Sequence, residues 1–225
     1  MKHTEQELQS LREEINQMWQ LVLSQLEKSK QAFLNSDIEL AREIVSREKR
    51  VDVFELKIDS DCENYIALYN PVAIDLRLIL SLMKINSTLE RIGDFAAGIA
   101  RHVIDDDCNK IDISIFEELQ IEKAFDILLS MLSDCFVALE SENTKIAGKI
   151  LAKDEDIDEI YRNSIVILTK YLQENPAYIH CGLKIILLVR KLERIGDHCS
   201  NIVEEIVFYV DAKVLKHNNK KNLRK

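Results

Sequence analysis

Apolar side chains return every three or four positions along nearly the whole chain, the period of helices that bury one face. Leu8, Leu11, Ile15, Met18, Trp19, Val22, Leu26 and Phe33 predict a first helix from about Gln6 to Leu34. Asn35-Ser36-Asp37 then supplies turn and capping side chains. Leu40, Ile44, Val51, Phe54, Ile58 and Tyr65 predict a second helix, from about Ile38 to Leu68, which Asn70-Pro71 interrupts. Pro71 is placed to open a third, from about Val72 to Ile104. Asp105-Asp106-Asp107-Cys108-Asn109 reads as a polar linker. The plan then repeats, with helices from about Ser114 to Leu139, Thr144 to Leu172 and Ala177 to Val214, and with Asn175-Pro176 breaking the chain as Asn70-Pro71 did.

The expected architecture is therefore all-α, with six long helices in two tandem three-helix bundles. Residues 1–106 form the first, residues 107–214 the second, and residues 215–225 a basic tail expected to be disordered. Letter-for-letter recurrence supports the duplication. Leu89-Glu90-Arg91-Ile92-Gly93-Asp94 returns as Leu192-Glu193-Arg194-Ile195-Gly196-Asp197. Six identities at about 1 in 20 each, over roughly 25,000 pairs of positions, make a chance repeat a roughly 4-in-10,000 event.

The repeated phrase has a chemistry-bearing face. With about 100° per residue and Glu90 at zero, the apolar stripe of its helix centres near 230° and Glu90 and Asp94 near 20°. Gly93 falls on the shoulder between them, where a helical glycine is tolerated if a neighbour must approach closely. Each middle helix adds an acidic pair at matching places, Glu48/Asp52 in the first half and Asp154/Asp158 in the second. Among 39 acidic residues about 7 such pairs are expected by chance, so the matched placement carries the signal. Two readings follow. Glu48, Asp52, Glu90 and Asp94, and likewise Asp154, Asp158, Glu193 and Asp197, could converge across a groove as hard oxygen ligands for a cation. Alternatively they form solvated acidic faces with Arg50, Arg91 and Arg194 as ion-pair partners. His198 is read as a surface or interface histidine, and Cys199 as a packing residue.

Composition narrows the function. Five Gly, two Pro and 6% aromatic residues disfavour a β fold. A net charge of −9 disfavours a general nucleic-acid binder. No apolar run is long enough to span a bilayer, and the N-terminus has no signal-peptide core. Cys62, Cys108, Cys135, Cys181 and Cys199 lack CxxC spacing, which predicts thiols in a reducing compartment. A ferritin-like di-metal oxidase would need Glu three residues before His, and none of the five histidines has one.

The duplicated phrase, Pro71-Val72-Ala73-Ile74-Asp75-Leu76-Arg77 and Gly196-Asp197-His198-Cys199-Ser200-Asn201-Ile202 together resemble the PhoU family of phosphate-specific transport accessory proteins, from about Gln6 to Val210. The resemblance implies two three-helix bundles side by side and a non-enzymatic regulator of phosphate uptake and homeostasis. It implies partners, namely the ATPase subunit of the Pst phosphate transporter and a PhoR-type histidine kinase, and a homodimer. It places the protein in the cytoplasm, with at most peripheral contact at the inner membrane face. It maps the family's E/D-x-x-x-D metal motifs onto the eight carboxylates above, for iron or another divalent metal (Mn, Mg, Zn or Ca) and with no organic cofactor. Phe95 and Gly98 depart from the pattern that His198 and Asn201 keep, which makes the first half the weaker expected site. An accessory of a different phosphate or anion transporter is the alternative.

Overall fold

In a computed structural model the six long helices form as the apolar periods require. The structure describes residues 2–105 and 114–215. The predicted linker beyond Asp105 and the tail beyond Leu215 lie outside the described residues. Helix α1 (Lys2–Asn35) ends where Ser36 turns to φ 50°, and Asp37 starts α2 (Ile38–Tyr69) by accepting a hydrogen bond from the Leu40 amide at 3.0 Å. Asn70, left-handed at φ 46°, closes α2 before α3 (Ala73–Ile104). In the second half come α4 (Ser114–Glu118), α5 (Ile121–Glu140), α6 (Ala147–Glu174) and α7 (Ile179–Asp211). Single 3₁₀ turns, Thr144–Ile146 and Pro176–Tyr178, precede α6 and α7.

The expected fourth helix is divided. It breaks between α4 and α5 at Gln120, whose φ is 53°, although neither Gly nor Pro marks the place. Tertiary packing accounts for the break. Ile115 and Leu119 are buried, and the Phe116 ring meets Phe33 of α1 edge-on at 5.4 Å. The turn lets both anchor into the first half while α5 takes a separate course.

Helices α1, α2 and α3 pack against one another, and so do α5, α6 and α7. The apolar faces nevertheless merge into one large core, containing Trp19, Ile58 and Leu89 from the first half and Phe125, Ile157 and Leu192 from the second. The Trp19 indole N–H donates to the Leu132 carbonyl at 3.2 Å, tying α1 to α5. The main seam is α3 against α7. Arg77 Nε donates to the Tyr209 carbonyl at 3.2 Å, and Ser81 Oγ to the Glu205 carbonyl at 3.1 Å. Near the far end, Lys184 Nζ donates to the Asp105 carbonyl. The helices thus run antiparallel. At mid-seam Phe95 and His198, which follow the two copies of the phrase, face each other with ring centroids 5.7 Å apart. Equivalent residues meeting at one point is the signature of a two-fold axis, here a pseudo-two-fold within one chain.

Cys62, Cys135 and Cys199 are buried free thiols, and Cys135 Sγ donates to the Cys199 carbonyl. Cys181 corrects the expectation of thiols throughout. It is disulfide-bonded. Among the described residues no helix is long and apolar enough to cross a membrane.

Gln25 breaks the apolar rule of α1. It is fully buried, and neither of its amide atoms has a hydrogen-bond partner. It lies against Gly93, whereas Leu128 lies against the equivalent Gly196. Gln25→Leu removes an unpaired buried amide and restores the residue type of the other half. It is expected to stabilise the protein by about 1–3 kcal/mol, read as a rise in unfolding temperature of about 2–4 °C per kcal/mol.

Candidate functional site

Helices α2 and α3 cross so that their acidic faces meet. One carboxylate oxygen each from Asp52, Glu90 and Asp94 can be chosen so that all three lie within 4.8 Å of one another, with Asp52 and Glu90 half-buried and Asp94 exposed. The i,i+4 spacing of Glu90 and Asp94 puts both on the side of α3 that faces α2. Glu48 belongs to the same neighbourhood, within hydrogen-bond reach of Asp94. Its carboxylate, however, is gripped by Arg101 through paired contacts of 2.7 and 3.1 Å. Periodicity alone missed Glu55, which lies one turn beyond Asp52 on α2 and adds its field to Glu90. The signal was available, since Asp52 and Glu55 are three residues apart on one helical face.

Charge at this site is poorly compensated. Burial, then Asp94, Glu55 and Asp52, push the Glu90 carboxyl up to about 7, and Arg91 opposes them. Asp94 is raised by burial and by Glu48, and Glu55 by burial, Asp59 and Asp52. Among the described residues neither Asp52 nor Glu90 forms a hydrogen bond or ion pair with a cationic side chain. Three hard oxygens in one small volume, with mutually repelling charges, suit a divalent cation such as Mn, Mg, Ca or ferrous iron better than a thiolate-seeking metal. On this observation the residues fit the group.

The second half arranges its four carboxylates differently. Asp154 is only 1% exposed and turned into the core, where a β-carbon on Gly196 would lie 2.9 Å from its Oδ1. Glycine at this shoulder is therefore required by a side chain and not by a neighbouring backbone. Glu193 faces Asp158, and its carboxyl is raised by burial and Asp197. Here arginines supply the compensation. Arg190 and Arg194 stand 3.5 and 4.0 Å from Glu193, and Arg194 stands 3.4 Å from Asp197. The residue equivalent to Arg101 is Glu204, so the arginine that holds Glu48 has no counterpart at that position of the second half. The three-oxygen grouping among the described residues lies in the first half, the half expected to be the weaker site.

Of the expected arginine partners, Arg194 engages its acidic neighbours, while Arg50 and Arg91 form no ion pair among the described residues. His198 sits in the α3–α7 seam, where burial, then Arg91 and Arg194, hold its imidazole below the ordinary range. Cys199 is fully buried, and burial pushes its thiol far up, as suits packing.

The shifted Glu90 has a measurable consequence. A carboxyl raised by folding costs stability as pH rises from the ordinary carboxylate value through about 7, because unfolding lets it ionise in water. Without metal, Glu90→Gln is expected to unfold at nearly the wild-type temperature near pH 4, and above it at pH 8. Thermal unfolding in chelator across that range checks the sign. A variant less stable than wild type at pH 8 would show that the charge is compensated.

Comparison with known proteins agrees with the fold and the duplication. The chain matches the PhoU domain twice, over residues 15–103 and 121–206. It is 32% identical to the phosphate-specific transport system accessory protein PhoU of Edwardsiella tarda over 211 residues, covering 94% of this chain and 86% of that one. It is 31% identical to the protein of the same name from Escherichia coli K12, with the same coverage. Among solved structures it is similar to PhoU from Pseudomonas aeruginosa, with a TM-score of 0.88, 30% identity and coverage of 93% of this chain and 99% of the other. It is also similar to the phosphate transport system regulatory protein PhoU from Streptococcus pneumoniae, with a TM-score of 0.82, 29% identity and coverage of 94% and 98%.

Proposed function

We propose a function from one settled premise: this chain belongs to the PhoU family. It is a phosphate transport accessory protein and not an enzyme. The finer reading is that it acts as an adaptor. It would couple the ATPase subunit of a Pst-type phosphate transporter to a PhoR-type histidine kinase, and damp uptake and starvation signalling when phosphate is plentiful. It would do so as a homodimer in the cytoplasm, with at most peripheral contact at the inner membrane face. The observation that carries this reading is full-length similarity, through both repeats, to proteins named as accessories of phosphate-specific transport. A strain lacking the gene is expected to express phosphate-starvation genes in rich phosphate and to take up phosphate without restraint. Unchanged uptake and unchanged kinase output would refute the reading. Control of a different phosphate or anion carrier would instead show as deregulated uptake with normal kinase output.

The carboxylate site supports a second element, metal binding. Asp52, Glu90 and Asp94 would hold a divalent cation such as iron or manganese, and Glu48 would join them only by leaving Arg101. Glu193, Asp197, Asp158 and Asp154 would form the second-half counterpart, weakened by Arg190, Arg194 and the inward turn of Asp154. The cation would supply charge neutralisation at a surface groove and so fix the approach of α2 to α3. Protein purified without chelator is expected to carry metal that an Asp52→Asn/Asp94→Asn variant loses, while an Asp158→Asn/Asp197→Asn variant keeps most of it. Elemental analysis reads both, and equal metal in all three proteins would reduce the carboxylates to a solvated face.

A further inference from the structure

The groove between α3 and α7, on the side of the first-half phrase, concentrates positive charge in a chain whose net charge is −9. It is an open cavity of about 500 Å³, lined by Arg91, Arg101 and His102 from α3 and by Lys184 and Lys191 from α7, with Phe95 as an aromatic wall. Asp94 and Asp105 also border it. Asp94, though, belongs to the carboxylate grouping on the α2 side.

Three observations mark this cavity as built for an anion. The first is the state of its cations. Arg91 and Lys191 donate no hydrogen bond and form no ion pair among the described residues. Lys191 is nonetheless half-buried, and desolvation and then Arg101 hold its ammonium below the ordinary lysine range. Arg101 beside it is already held by Glu48, so the positive charge left for a ligand is that of Arg91 and Lys191, and an anion there would meet two donors not bound to a carboxylate. The second is Gly98. A β-carbon there would lie 3.1 Å from Lys191 Cε, so the missing side chain makes room for the lysine stem to cross α3 and present its ammonium to the cavity. This departure from the second copy, where Asn201 stands, thereby acquires a physical reason.

The third observation comes from the pseudo-two-fold axis. Carried through the seam, the positions lining the cavity have counterparts in which Arg194 and Asp197 stand for Arg91 and Asp94. The residues equivalent to Arg101 and His102 are Glu204 and Glu205, and those equivalent to Lys184 and Lys191 are Ser81 and Thr88. The duplication preserved the phrase on both sides, but Arg101, His102, Lys184 and Lys191 have no basic residue at their equivalent positions.

We propose that this groove binds the phosphate group of a small soluble molecule, with Arg91, Arg101 and Lys191 as donors to its oxygens. Guanidinium forks suit tetrahedral oxyanions. The volume exceeds what inorganic phosphate needs and falls in the range of small-molecule sites, leaving space beside Phe95 and His102 for an organic or further phosphate moiety. Walls from two helices make the site concave, which favours a soluble ligand over a flat headgroup surface. It borders the cation site proposed above at Asp94 but uses other donors, and it does not depend on transporter control.

Calorimetric titration of the full chain in chelator, at low ionic strength, tests the proposal with inorganic phosphate, pyrophosphate and ATP as separate probes. At least one is expected to bind, and the order of the three identifies what accompanies the phosphate. Lys191→Met and Arg91→Gln are each expected to weaken that binding by about tenfold or more. Lys170→Met, which removes an exposed lysine elsewhere, is expected to leave it unchanged. Unfolding curves of all three variants verify that they fold. Absence of binding by every probe overturns the proposal, as does equal binding in the folded Lys191→Met and Arg91→Gln variants. Association with phosphatidylglycerol vesicles, without binding of any soluble probe, overturns it in favour of a membrane surface.

Discussion

The antiparallel packing of α3 on α7 is the contact on which the other features depend. These are the two helices that carry the repeated phrase, and burying their apolar stripes against a shared core fixes where every polar residue of the phrase can point. Leu89 and Ile92, like Leu192 and Ile195, are essentially inaccessible to solvent, so each helix is locked in rotation about its axis. Once rotation is fixed, Glu90 and Asp94 must face α2, and Arg91 and Phe95 must face the seam. The phrase recurs intact because each of its letters answers to a different neighbour.

The same seam turns a sequence repeat into a local asymmetry. Around a pseudo-two-fold axis, residues that differ between repeats end up on opposite faces of one interface. Arg101 and Glu204 show the consequence. Arg101 reaches Glu48 on α2 and pulls it toward the surface, while the other half, with Glu204, leaves its Asp154 folded inward over Gly196. The two halves thus differ in charge at a position outside either carboxylate motif, and in how the first acidic residue of the middle-helix pair is held. Arginine plays the opposite part in the second half, where Arg190 and Arg194 compensate Glu193 and Asp197.

What could be read from sequence follows from the range of the interactions involved. Helix identity, the breaks at Asn70-Pro71 and Asn175-Pro176 and the outward face of Glu90 and Asp94 are local properties, set by period and backbone restriction, and they are legible. The break at Gln120 was not, because it is imposed by Phe33, Ile115 and Phe116 across helices and leaves no breaker residue behind. The bridge from Arg101 to Glu48 spans 53 positions and depends on the packing angle of α2 on α3. Gly98 looked like a defect in the first copy, since its role exists only when Lys191 arrives from α7. The inward turn of Asp154 likewise needed knowledge of what lies above Gly196.

Asp94 and Arg101 also connect the two candidate sites. Asp94 contributes an oxygen to the grouping with Asp52 and Glu90 and at the same time borders the basic groove. Arg101 lines that groove while holding Glu48 away from the carboxylates. A cation bound by Asp94 would offset one of the two carboxylates bordering the groove and strengthen its hold on an anion. An anion bound by Arg101 would compete with Glu48 for the guanidinium and free that carboxylate to turn toward the cation. Each ligand would thus raise the affinity for the other, and linkage requires the two effects to be equal in free energy. The coupling needs no helix movement, only rearrangement of side chains that already touch. A helical adaptor whose core is rigidly packed could in this way report the state of one face on the other.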